Sequence, residues 1–201
     1  MLIEETAPAT EALPVAALSE HLRLGSGFDL AHDNSAELAA LAGFLRAAIA
    51  TIEARTGKVL LTRRFRMQLD DWRDRLGQTL PLAPVLAVER IEIDNGQGIV
   101  TELPVESWRL LPDPQRPMIL PAGAMLPHVP RAGSVVVTFV AGFGQTWDQV
   151  PADLAQAVLM LAARYYEDRS FEGSRSAMPF GVSALIEKWR QVRTLAGRGA
   201  R

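Results

Sequence analysis

Apolar side chains recur with a period near 3.6 at both ends of this chain and near 2 in its middle, which predicts helices flanking a block of strands. Leu13 to Leu24 reads as a short first helix, with Pro14 in its first turn, Leu18 and Leu22 facing inward and Gly25-Ser26-Gly27 as its stop. A second helix carries the stripe Leu38, Leu41, Leu45, Ile49 and Ile52 and ends at Gly57. Asp33, Asn34 and Ser35 compete to cap its start, and Glu37 is placed to reach back toward the cap. Both helices are read as apolar on one side only, so each needs a partner surface. Met1 to Ala12 shows neither period and is expected to be a mobile lead-in.

From Val59 the period shortens. Leu61, Phe65, Met67 and Leu69 alternate with Thr62, Arg64, Arg66, Gln68 and Asp70, the mark of a half-buried strand. Val85 to Ile93 alternates again, with Ile91 and Ile93 inward and Arg90 and Glu92 outward, and Asp94-Asn95-Gly96-Gln97-Gly98 predicts a hairpin turn. Further short strands are expected over Trp108 to Leu111, Met118 to Leu120 and Val135 to Val140. Nine prolines between Pro81 and Pro130 keep the strands of this region short.

The most structured stretch runs from Ser134 to Arg169. A β-branched strand breaks at Gly142 and Gly144. Pro151 then presets a helical φ, and Asp153 sits where a carboxylate favours the exposed N–H dipoles. Leu154, Ala157, Val158, Leu161 and Tyr165 follow as one apolar stripe. The expected fold is α+β: a mainly helical core, built from the N-terminal helix pair and the C-terminal helices, with a small antiparallel β module inserted. The expected division is an N-terminal helical part over 1–57, the β module over 58–145, a C-terminal helical part over 146–190 packing on the first, and a basic flexible tail over 191–201.

Composition narrows the function classes. The chain has 201 residues, 48% hydrophobic and 22% charged, an ordinary globular balance. It has no cysteine, which excludes a disulfide framework and thiolate chemistry. The N-terminus lacks a signal-peptide layout and no apolar run is read as approaching the ~20 residues a bilayer requires, so a soluble protein without a membrane partner is expected. The net charge of −2 is uneven. Lys188, Arg190, Arg193, Arg198 and Arg201 meet no acidic residue after position 187, leaving 16 basic and 23 acidic side chains before it, a balance of −7. Such an acidic body argues against gripping phosphate backbones.

The search for chemistry is almost empty. His21, His32 and His128 are scattered, with no ligand spacing around them. Asp70, Asp71 and Asp74 are interleaved with Arg73 and Arg75, the pattern of a solvated loop. Gly142-Phe143-Gly144 lacks the third glycine of a dinucleotide loop, because Trp147 stands there. Nucleophile elbow, Walker loop and calcium loop are all missing. Neither a catalytic residue nor a metal or other cofactor is therefore expected.

Three separated motifs carry a resemblance. They are Val150-Pro151-x-Asp153-Leu154 with Tyr166-Glu167-x-Arg169, then Arg46-Ala47-Ala48-Ile49 with Ile52-Glu53-x-x-Thr56-Gly57, and finally Met178-Pro179-Phe180-Gly181-Val182 leading to Trp189-Arg190. In this order the chain resembles the head–tail connector (adaptor) proteins of tailed phages and gene transfer agents, over most of residues 13–190. The resemblance implies a homo-oligomeric ring, a dodecamer, at the head–tail junction of a virion or phage-like particle assembled in the host cytoplasm. Its partners would be the portal protein above, a stopper or tail protein below, and double-stranded DNA passing without sequence-specific binding. Within a subunit, Leu154–Tyr166 is expected to pack on Leu38–Ile52. Neighbouring subunits are expected to meet through Arg46, Glu53, Arg164 and Glu167. The segment holding Trp189, Arg190, Arg193, Arg198 and Arg201 is expected to dock on the portal.

Two rivals remain at this level. One is a tail terminator or head-completion ring protein. The other is an enzyme or small-ligand module with Trp72, Trp108 and Arg109 lining a pocket in the β part.

Overall fold

Gly57 adopts a left-handed backbone, φ 67°, at the point where the hydrophobic period changes, and the chain there leaves a helical layer for a sheet. The computed structural model describes residues 1–24, 35–168 and 178–190. Along them run β1 (Leu2–Glu4), α1 (Val15–His21), α2 (Ser35–Thr56), β2 (Arg63–Leu69), β3 (Gln78–Thr79), β4 (Val85–Asp94), β5 (Val100–Glu102), β6 (Trp108–Leu111), β7 (Met118–Pro121), β8 (Ser134–Ala141), α3 (Ala152–Asp168) and α4 (Phe180–Ile186). The strands form an antiparallel five-stranded sheet ordered β1-β2-β8-β4-β5 and a three-stranded sheet ordered β3-β7-β6.

Two hydrophobic cores result. In the helical one, Leu18, Leu45, Ile52, Leu154, Val158 and Val182 are buried together. In the other, Phe65, Val85, Ile91, Ile119, Val137 and Phe139 are buried between the sheets, with Phe65 and Phe139 stacked at 5.7 Å across β2 and β8. Leu60 and Leu61 pack into the helical core while Val59, one residue earlier, packs into the β core. The expected mainly helical architecture is thus corrected: strands are about as common as helices, because the β part buries enough apolar surface to hold a core of its own.

The central elements follow the period. β2 alternates with Phe65 and Met67 buried, and β8, the central strand between β2 and β4, is buried almost throughout. The hairpin turn between β4 and β5 forms as expected. Asp94 Oδ1 accepts the Gly96 N–H at 2.8 Å, and the Asn95 N–H donates to the Ile99 carbonyl at 3.0 Å. After β8, Gly142 (φ 142°) passes directly under Thr62; a Cβ there would lie 2.5 Å from the Thr62 Cα. The next turn is closed by a reciprocal cap between Thr146 and Gln149, which delivers the chain to α3.

Three expectations change. Residues 2–4 are not a loose lead-in but edge strand β1, with Leu2 opposite Met67 and the terminal ammonium donating to the Gln68 carbonyl at 2.7 Å. Leu38 is 49% exposed, so the buried stripe of α2 begins at Leu41. α2 is also long and apolar enough to cross a bilayer by length and composition, with mean hydropathy 1.4 over its most apolar window, contrary to the sequence reading. Its inner face serves the helical core instead. Gly25-Ser26-Gly27, the candidate caps Asp33 and Asn34, and His32 lie outside the described residues.

Candidate assembly surfaces

The residues expected to meet a neighbouring subunit fall into different environments. Arg46 is exposed on α2, and one of its guanidinium nitrogens donates to Thr10 Oγ1 at 2.7 Å. Arg164 is exposed on α3 and pairs one turn later with Asp168 at 2.8 Å, while Glu167 is exposed beside it. Glu53 is different. Its carboxylate accepts the Leu60 N–H at 2.8 Å and pairs with the Arg63 guanidinium, which also reaches Glu4 at 2.9 Å. Burial raises the Glu53 pKa, with the Arg63 charge and the Leu60 N–H pulling against that rise. Glu53 therefore fastens α2 to β2 and, through Arg63, to β1. It faces inward, because the alternation that buries Leu61, Phe65 and Met67 also turns Arg63 inward and requires a carboxylate there.

A second inward cation sits nearby. Lys58 is buried at the layer change, and its Nζ donates to the Pro114 carbonyl at 2.6 Å and to Gln115 Oε1 at 2.8 Å. Burial lowers its pKa, with the Asp113 charge acting in the opposite direction. It ties the loop between β6 and β7 to the end of α2.

α3 meets α2 through Thr51 and Tyr165, whose oxygens lie 3.0 Å apart, and through the edge-to-face pair Phe44 and Tyr166 at 5.9 Å. The expected packing of the two helices is present, with Leu41, Leu45 and Ile52 against Leu154, Val158 and Leu161 in one core.

Of the five residues expected to meet the portal, Trp189 and Arg190 are described, and Arg193, Arg198 and Arg201 lie outside the described residues. Trp189 is half-buried. Its Nε1 donates to Asp153 Oδ2 at 2.8 Å, its ring meets Phe143 edge-on at 5.5 Å, and Lys188 Nζ reaches the same Asp153 oxygen at 2.7 Å. Burial acts to raise the Asp153 pKa, but the hydrogen bonds from Lys188, Trp189 and the Leu154 N–H outweigh it and hold the carboxyl below its ordinary value. Arg190 is exposed and pairs with Glu187 at 3.1 Å. It lines a groove of about 310 Å³ together with Arg55, Ser183, Ile186 and Glu187.

Trp72 and Trp108 belong to the β core, and Trp72 Nε1 donates to the Pro127 carbonyl at 2.8 Å; Arg109 is exposed. None of the three lines that groove. Asp71 and Asp74 shape their own loop by accepting the Trp72 and Leu76 N–H groups, each at 2.8 Å. His21 and His128 are exposed, and among the described residues no cluster of three ligating side chains occurs. Sequence reasoning missed Arg63, Lys58 and the partnership of Asp153 with Trp189. For Arg63 the signal was present, since it shares the inward phase of Leu61, Phe65 and Met67.

Comparison with known proteins gives these surfaces a setting. A chain from the neck of an empty gene transfer agent particle, computed with C6 symmetry, is 53% identical to this one, with a TM-score of 0.88 over 99% of this chain and 100% of the other. The chain belongs to the neck proteins of gene transfer agent particles. A second relative, from the virion of a native gene transfer agent particle, is 52% identical over the same shares with a TM-score of 0.85. A third, from the neck of a native particle computed with C12 symmetry, is 49% identical, again over 99% and 100%, with a TM-score of 0.83. No family model and no curated protein matches the chain. These neck-protein relatives are particle components, which sets this chain among virion structural proteins.

Proposed function

We propose that this neck protein is the adaptor subunit of the head–tail junction, a structural part and not an enzyme. Twelve copies form a ring beneath the portal and present their other face to a stopper or tail protein, leaving a central passage for DNA. The observation that carries this reading is the full-length match, at 53% identity, to a chain from a gene transfer agent neck. The C6 and C12 symmetries of the related necks support repetition around an axis. A ring of identical subunits needs two unlike faces that meet at a closing rotation.

In this reading Trp189 and the basic residues Arg190, Arg193, Arg198 and Arg201 dock on the portal. The acidic balance of residues 1–187 suits a passage that does not hold duplex DNA, because phosphate binding scales with the cations offered. The test is an in-frame deletion of the gene in a producing strain. Filled heads and separate tails that fail to join are the expected result; particles with normal necks would refute the proposal.

A further inference from the structure

The outer face of α2 has a chemistry that the described part of the subunit leaves unexplained. Exposed helix faces are ordinarily charged. This one carries Ala36, Ala40, Gly43, Ala47, Ala50 and Ala54, all exposed, within an arc of about 80° at the helical pitch. Directly opposite lie Leu41, Leu45 and Ile52, buried in the helical core. The helix is therefore apolar on both sides, with mean hydropathy 1.4, yet only 33% of that window is buried. Its charges, Glu37, Arg46, Glu53 and Arg55, stand on the flanks between these two sides, and a contiguous exposed apolar strip of this kind marks an interaction surface. A Cβ added at Gly43 would meet nothing within 4 Å, so among the described residues this face stands open.

A separate observation supplies a counterpart. Phe180, at the start of α4, is 88% exposed, the most exposed large apolar side chain among the described residues. We infer that the Ala/Gly face of α2 is one side of the contact between ring subunits and that Phe180 of a second copy is the knob that fills it. This rests on the ring reading above. Two unlike faces on one chain, a shallow track of small residues and a projecting ring, are what a heterologous contact between identical copies requires.

The area points the same way. A helix of 22 residues is about 33 Å long and about 10 Å wide, so its face offers roughly 300 Å² per partner. A stable isolated pair needs about 800 Å² per partner. This contact is too small to hold a free dimer, and suits a closed ring in which each subunit makes it twice. Arg46, on the flank of α2, then sits beside the seam.

The chain has no cysteine, so introduced thiols report alone. Particles carrying the full-length Ala47→Cys, Phe180→Cys double variant are treated with a short bismaleimide. A ladder of covalently linked copies is expected, and neither single variant should give one. Particles that contain the double variant but yield only monomer overturn the inference and leave the ring reading standing. Particles that lack even the unaltered chain overturn both. Gly43→Arg provides a second arm: the purified subunit should melt as before, yet be missing from necks. Normal incorporation of Gly43→Arg contradicts the inference, as does flotation of the unaltered chain, but not of Gly43→Arg, with phosphatidylcholine vesicles.

Discussion

The indole Nε1 of Trp189 donates to Asp153 Oδ2 at 2.8 Å, tying the C-terminal turn to the first turn of α3. A side chain expected at the portal contact is half-buried and also acts as a fastener within the subunit. Removing the acceptor with Asp153→Ala leaves the indole N–H without its partner and should lower stability by about 1–3 kcal/mol. Lys188 is 68% exposed, so its loss alone should cost well under about 1 kcal/mol. Urea titration of Asp153→Ala and Lys188→Ala checks the ranking.

The same carboxyl sets an acid limit. Because the folded Asp153 pKa is depressed, its contribution is complete above the unfolded carboxylate value, ~3.9, and is lost as pH falls through the lower folded value. Glu53 runs the other way. Its folded pKa is raised, so its pH-dependent contribution is fully present below the unfolded value and is lost as pH rises through the folded one. Stability measured against pH should lose its Asp153 component at the acid end in Asp153→Asn. Glu53→Gln should remove the opposing slope just above the ordinary carboxylate range.

Arg63 has two carboxylate partners, and Glu53 is the more buried of them, with 14% of its side chain exposed against 40% for Glu4. Arg63→Met should cost about 3–5 kcal/mol, because it leaves a carboxylate inside without its cation. Adding Glu53→Gln to that variant should recover part of the loss. A thermodynamic cycle over the two single variants and the double variant measures the coupling.

Gly142→Ala places a Cβ against the Thr62 backbone at a φ that L residues rarely adopt. A loss above about 1 kcal/mol is expected. Thermal melting of the purified subunit reads it directly.

Deleting residues 191–201 should abolish portal attachment while leaving the melting temperature of the subunit unchanged. Co-sedimentation with purified portal checks the first outcome and calorimetry the second. Retained attachment would remove the basic segment from the portal contact.

Much of this fold was legible wherever one face of an element is buried. The inward phase of β2, the hairpin at Asp94–Gly98, strand β6 and helix α3 all follow from spacing and turn chemistry, because a one-residue slip would turn each apolar set to water. β1 was not legible, since three residues carry no period and their partner β2 lies over 60 positions away. The size of the β core was also hidden, because it depends on a second sheet whose strands are two to four residues long. At the assembly surfaces the spacing of charges placed Glu53 outward, whereas the inward turn of Arg63 draws it in. The outer face of α2 went unread because alanine fits both a buried and an exposed helix position.

Cryo-electron microscopy of the neck in particles from the strain that encodes this chain is the most direct test of its role. The account predicts a closed cyclic ring of this chain between portal and tail, twelve copies around the DNA passage, with the outer face of α2 covered by the adjacent copy. A neck fully accounted for by other proteins, with no density for this chain, would contradict it.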